Sequence, residues 1–110
     1  MIQTGLFHNK WAINLYLYKS LDKKMKILMV CLGNICRSPI AEGILAHKAK
    51  QKGLNWEVDS AGTNGYHNGE APHPLSQKVS AAQGVDISHQ VSRKLTKADF
   101  KKYDRMYAMA

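Results

Sequence analysis

The feature that most constrains this chain is an apolar run that stops dead at a polar loop. Ile27-Leu28-Met29-Val30 leads directly into "CLGNICRSP", Cys31 to Pro39, which puts two cysteines, a glycine, an asparagine, an arginine and a serine within nine residues. A continuous apolar run bounded by Gly and Asn suits a strand buried on both faces, as in the middle of a parallel sheet, and the expected strand is Lys26 to Val30. Ser38 and Pro39 then open a helix, with serine as N-cap and proline at the first helical position, where its missing N–H costs nothing. Ile40, Ile44, Leu45 and Ala49 carry the helical spacing forward to a stop at Gly53.

The remaining segments repeat the alternation. "WEVDS", Trp56 to Ser60, alternates apolar and polar residues and reads as a second strand. Residues 61–72, punctuated by Gly62, Asn64, Gly65, Asn68 and Gly69, read as a long surface loop. Pro74 begins another helix, whose Leu75, Val79 and Ala82 share one face, with Gly84 closing it. Thr96-x-x-Asp99 caps a short helix carrying Phe100 and Tyr103, and "RMYAMA" is a third strand. This order implies an α/β fold of three layers, a mostly parallel sheet with helices on both faces. Ligands of such sheets sit at the carboxyl ends of strands, where the loop after the first strand lies by construction.

A chain of 110 residues supports one core and one domain, expected over residues 25–110. Residues 1–24 are expected to be a poorly ordered extension: "WAINLYLY", Trp11 to Tyr18, is interrupted by Asn14 and falls short of the roughly 18 apolar residues of a membrane span. The net charge of +8 attracts anions in general, but the basic residues are scattered, and neither a nucleic-acid nor a membrane partner is expected. Arg93, Lys94 and Lys97 read as a solvated face. Cys31 and Cys36 have no distant partner with which to staple a secreted scaffold, which favours a reducing, cytoplasmic compartment.

A loop between a buried strand and a helix N-terminus turns backbone N–H groups into one concavity, and the helix end adds partial positive charge. Gly33 permits close backbone approach, Asn34 tolerates the left-handed conformation, and Arg37 offers a planar fork for two oxygens of a tetrahedral anion. Cys31, at the floor, would feel the N–H groups, the helix dipole and Arg37, all of which favour the thiolate. A thiolate facing phosphorus is a nucleophile. A Cys-x4-Cys pair with only His47 beyond it lacks the further ligands of a metal site, so neither a metal nor a cofactor is expected. Cys36 is placed instead to form a reversible disulfide that protects Cys31.

With these residues in view, "CLGNICRSP" resembles the active-site loop of the low-molecular-weight protein tyrosine phosphatases. The resemblance continues through "AEGIL", "VDSAGT", "PHP", "GVDISH" and "LTKADFKKYDRMYAMA", covering about Met25 to Ala110. It implies the phosphotyrosine protein phosphatase I-like fold, and hydrolysis of phosphotyrosine or aryl phosphates through a phosphocysteine on Cys31. Arg37 and the N–H groups of Leu32, Gly33, Asn34, Ile35 and Cys36 would bind phosphate, and Ser38 would donate to the sulfur. Ser60 and His89 would join Asn34 in supporting the loop, Tyr66 would wall the substrate ring, and Ile35 matches tyrosine rather than arginine phosphatases. The family's later Asp-Pro segment, whose aspartate protonates the leaving phenolate, does not occur before Ala110, nor do a fourth strand and a closing helix. The resemblance therefore implies a C-terminally incomplete pattern, either a fragment or an enzyme impaired by lack of its general acid. Two alternatives stand beside it: a phosphoprotein-binding module that captures phosphate without turnover, and an arsenate reductase, which would need cysteines beyond Cys36.

Overall fold

A computed structural model describes residues 24–109. The expected extension at residues 1–24 lies, except for Lys24, outside the described residues. The elements are β1 (Met25–Cys31), α1 (Arg37–Gln51), β2 (Trp56–Gly62), α2 (Pro74–Ala82), α3 (Asp99–Lys102) and β3 (Arg105–Ala108). The three strands form one parallel sheet in the order β2-β1-β3. Met25 to Cys31 pair with Trp56 to Gly62 on one side, and Ile27 to Val30 pair with Arg105 to Ala108 on the other.

The central place of β1 explains its composition. Ile27 to Cys31 are all buried, as a strand paired on both edges and covered on both faces requires. Leu28 and Val30 meet Ala61 and Tyr103, with Leu95 and Met106 packed against the cluster. Full burial of a residue such as Leu28 contributes about 1.5–3 kcal/mol. The chain leaves β1 for β2 on one side and crosses to β3 on the other, so the strand order reverses at the carboxyl end of β1. An open α/β sheet forms its ligand crevice at such a reversal.

Two local expectations change. First, α1 begins at Arg37 with Cys36 at the N-cap and no side-chain cap, because the Ser38 hydroxyl turns inward instead of back onto its helix. Its other end closes as anticipated: Gly53 takes φ +71°, Leu54 N donates to Ala49 O and Gly53 N to Lys50 O, a Schellman motif. Second, α2 buries Ser76 and Ser80, while Leu75 and Val79 remain 62% and 46% exposed and Ala82 is exposed. The apolar residues that reach α1 in this region come from the turn after α2. A Cβ on Gly43 would run into Ile87 and lie 3.2 Å from Val85, so the glycine is the seat for that turn. Phe100 also points to solvent, leaving Tyr103 as the aromatic that α3 delivers to the core. No helix among the described residues is long and apolar enough to cross a membrane.

Candidate active site

β1 ends in Cys31, and residues 32–36 curl over its carboxyl end before α1 starts. Asn34 sits at φ 57°, the left-handed region that Asn tolerates better than most residues. The loop is tied down by main-chain bonds: Thr63 N donates to Cys31 O, Asn64 N to Leu32 O and His73 N to Ile35 O, at 2.8–3.0 Å. The end of β2 backs it closely. A Cβ on Gly62 would lie 3.0 Å from Leu32 O, Gly33 C and Asn34 N at once, so glycine is what allows this strand to support the loop.

Inside the loop the polar groups converge on the sulfur. Cys31 Sγ lies 3.0 Å from Ser38 Oγ and accepts from Asn34 N at 3.3 Å. Burial pushes the Cys31 thiol up, but the Ser38 hydroxyl and the N–H groups of Ser38, Asn34 and Gly33 outweigh it and hold the thiol below its ordinary value. The thiolate is thus favoured by hydrogen bonds, and Arg37, expected to contribute, is not among the groups responsible. Asn34 Nδ2 donates both its protons, to Ser38 Oγ at 2.8 Å and Ser60 Oγ at 2.9 Å. Its Oδ1 accepts from Arg93 N at 2.9 Å, which fixes the orientation of the amide. Asn34, Ser38 and Ser60 come together as anticipated. His89 does not: it is exposed and makes no side-chain hydrogen bond among the described residues. Its neighbour Gln90 turns inward instead and donates to Pro39 O. The remaining partner of Ser60 is Glu42, whose Oε1 accepts from Ser60 Oγ at 2.6 Å.

Arg93, read from sequence as part of a solvated face, is a hub. Its guanidinium donates to Asp59 Oδ2 and, through two nitrogens, to both carboxylate oxygens of Asp99 at 3.0 Å, while Tyr103 Oη donates to Asp59 at 2.9 Å. Asp99 also receives the N–H and hydroxyl of Thr96, so the expected capping pair forms with the aspartate as acceptor. Its carboxyl is held below the usual range, first by the Arg93 hydrogen bond. One residue therefore ties the segment after α2 to β2, to α3 and, by its main chain, to Asn34. Asp59 and Asp99 were the available signals, but pairing across 34 positions in the chain leaves no local pattern.

A crevice of about 540 Å³ opens above the sulfur, lined by Cys31, Ile35, Arg37, Tyr66, His67 and Met109 among others. Leu32, Gly33 and Cys36 also face it, and Cys36 is a free, exposed thiol. Arg37 is exposed at the rim, and Tyr66, 86% exposed, also lines the crevice. His67 was not singled out from sequence. Its ring lies beside Gly33, within 3.1 Å of where a Cβ would sit, and its Nδ1 lies 3.0 Å from Glu70 Oε2. No carboxylate lines this crevice among the described residues.

A buried cysteine whose thiol is held below its ordinary value by the Ser38 hydroxyl and neighbouring N–H groups, at the carboxyl end of a central parallel strand and with an arginine at the rim, marks a candidate cysteine-based site. The comparisons specify it further. The family model described as low molecular weight phosphotyrosine protein phosphatase matches residues 26–110. A human low molecular weight phosphotyrosine protein phosphatase is 44% identical over 85 residues, covering 76% of this chain and 53% of the relative. The crystal structure of YfkJ from Bacillus subtilis superposes with a TM-score of 0.77 at 38% identity, covering 80% of this chain and 57% of that one. A Drosophila arginine phosphatase structure does so with 0.74 at 37% identity, covering 77% and 54%. The chain belongs to the low-molecular-weight phosphotyrosine protein phosphatase family. It spans a little over half the length of the curated relatives it matches.

Proposed function

We propose that this chain carries the nucleophile and phosphate cradle of a protein tyrosine phosphatase, acting on phosphotyrosine proteins or small aryl phosphates. The observation that carries the reading is the Cys31 sulfur, hydrogen-bonded with Ser38 and Asn34, its thiol held below the ordinary value, under a crevice lined by Tyr66. Cys31 Sγ attacks phosphorus in line, the bond from phosphorus to the phenolic oxygen breaks, and a phosphocysteine forms. The loop N–H groups and the Arg37 fork hold the equatorial oxygens as charge builds on them. Water then attacks the phosphocysteine, and the Ser38 hydroxyl, donating to sulfur, stabilises it as it leaves as thiolate. Ile35 beside the pocket supports phosphotyrosine over phosphoarginine by resemblance. Dependence on a thiolate fits a reducing compartment, and we assign the activity to the cytoplasm.

A nitrophenolate departs unaided, whereas a tyrosine phenolate gains from a proton donor. Without a proton donor, turnover of a phenol with a pKa near 10 slows by about 10²–10⁴-fold. The test is phosphate release from nitrophenyl phosphate and from a phosphotyrosine peptide, with Cys31→Ser as control. The expected result is turnover of the first, lost in Cys31→Ser and much weaker on the peptide. Folded protein that hydrolyses neither, while Cys31→Ser still binds the peptide, would replace this reading with that of a phosphoprotein-binding module.

A further inference from the structure

The hydrogen bonds around Asn34 have a direction, and following it leads to a residue outside the crevice. Arg93 N can only donate, so the Asn34 atom facing it is the carbonyl oxygen and the other is the amide nitrogen. Both amide protons are then committed, one to Ser38 and one to Ser60. Each serine accepts from Asn34 and must send its own proton outward. The acceptor within reach of Ser38 is the Cys31 sulfur, and Ser60 donates to the Glu42 carboxyl. The Cys31 sulfur and the Glu42 carboxyl thus end one chain of bonds with Asn34 as donor at its centre. Ser60 is buried and Asn34 Oδ1 is occupied, so among the described residues Glu42 is the one acceptor for the Ser60 proton.

We infer that Glu42 is a positioning residue for the nucleophile: by accepting the Ser60 proton it sets the polarity of the relay that makes Asn34 and Ser38 donors toward Cys31. The inference rests on Cys31 being the nucleophile. A hydroxyl that donates to a carboxylate becomes a better acceptor, which tightens the Asn34 bond and with it the alignment of Asn34 N and Ser38 on the sulfur. Burial, followed by a smaller contribution from Asp59, pushes the Glu42 carboxyl up to about 7, against the opposing pulls of the Ser60 bond and Arg93. The relay therefore changes strength near neutral pH. The charged and titratable groups facing Glu42 are Asp59 from β2 and Arg93 from the segment beyond α2. A second cavity of about 340 Å³ adds His47 and Lys50 from α1, and Asp86 and His89 from the turn after α2.

The experiment follows Cys31 alkylation by iodoacetamide across pH 5–9 in the full chain, resolved by peptide mass spectrometry so that Cys36 is counted separately. The parent is expected to need two ionisations, one from Cys31 and one near pH 7 that raises the rate. Glu42→Gln keeps an acceptor but cannot ionise, so the step near pH 7 disappears while the thiolate persists. Glu42→Ala removes the acceptor and moves the Cys31 ionisation up by about one unit, a tenfold slower reaction below it. A substitution that only loosened the fold would lower stability without removing one ionisation selectively. The inference is overturned if Glu42→Gln retains the step near pH 7, or if Glu42→Gln and Glu42→Ala shift the profile alike. Should Glu42→Ala fail to fold by circular dichroism, Glu42→Gln alone decides. Alkylation needs no turnover, so failure of the phosphatase reading would appear separately, as absent phosphate release from a chain whose Cys31 still titrates.

Discussion

Replacing Asn34 separates two contributions that the structure places on one residue. The side chain makes three hydrogen bonds, to Ser38, to Ser60 and from Arg93 N, and the backbone sits at φ 57°. Asn34→Gly removes the bonds and tolerates the backbone; Asn34→Ala removes the same bonds and adds a Cβ in a left-handed conformation. Each lost bond costs about 0.5–1.5 kcal/mol, and Arg93 N, if left without an acceptor, about 1–3 kcal/mol. The sum for Asn34→Gly, two lost bonds and the orphaned Arg93 N, is about 2–6 kcal/mol, and left-handed strain adds about 1 kcal/mol for alanine. Against a typical domain stability of about 5–15 kcal/mol, either change is large. Urea unfolding of the three proteins by far-ultraviolet circular dichroism, with the slopes compared to confirm a common unfolded state, measures both differences. The expected order is parent, then Asn34→Gly, then Asn34→Ala. Alanine equal to or more stable than glycine would refute the strain argument, and losses below about 1 kcal/mol for both would refute the view that the network stabilises the fold.

Other outcomes follow from the same contacts. Arg93→Ala leaves Asp99, whose side chain is 7% exposed, without its cation, and should cost about 3–5 kcal/mol in chemical denaturation; Arg93→Lys should recover only part, since an ammonium cannot grip both oxygens. Gly43→Ala drives a Cβ into Ile87 and should lower stability by about 1–3 kcal/mol, partly restored by Ile87→Ala in the double variant. The Asp99 carboxyl is depressed in the folded state, so its contribution is present above the unfolded value of about 3.9 and is lost as pH falls through the folded one. Asp99→Asn should therefore flatten the acid limb of a stability profile below about pH 4, read by thermal unfolding. Gly62→Ala should slow Cys31 alkylation more than it lowers the melting temperature, because the atoms its Cβ would crowd, Leu32 O, Gly33 C and Asn34 N, belong to the loop itself.

Much of the fold was legible because its signals are local. The apolar run of β1, the glycine stops of the helices and the Thr96-x-x-Asp99 pair all act within a few residues, and each element appears within two or three positions of its expected ends. The reactive loop was legible for the same reason, since Cys31 to Ser38 is contiguous. What the sequence hid is pairing at a distance. Leu75 and Val79 have helical spacing, but spacing names a face without saying which neighbour it meets, and Ser76 and Ser80 are the residues buried. His89 stood for a supporting role that falls on Glu42 and Arg93, whose partners lie 18, 34 and 59 positions away.

The bond from Arg93 N to Asn34 Oδ1 spans those 59 positions, and Asn34 Nδ2 reaches Ser60 across 26 more in the other arm of the network. Contacts of such long sequence separation carry a larger loop-closure cost than the turns within the helices. A nascent or partly unfolded chain would already contain Cys31 and Arg37 next to one another, yet its sulfur would be an ordinary thiol. Nucleophilicity is thereby made conditional on completed folding, and the reactivity of Cys31 serves as a built-in reporter of whether the segment around Arg93 has docked.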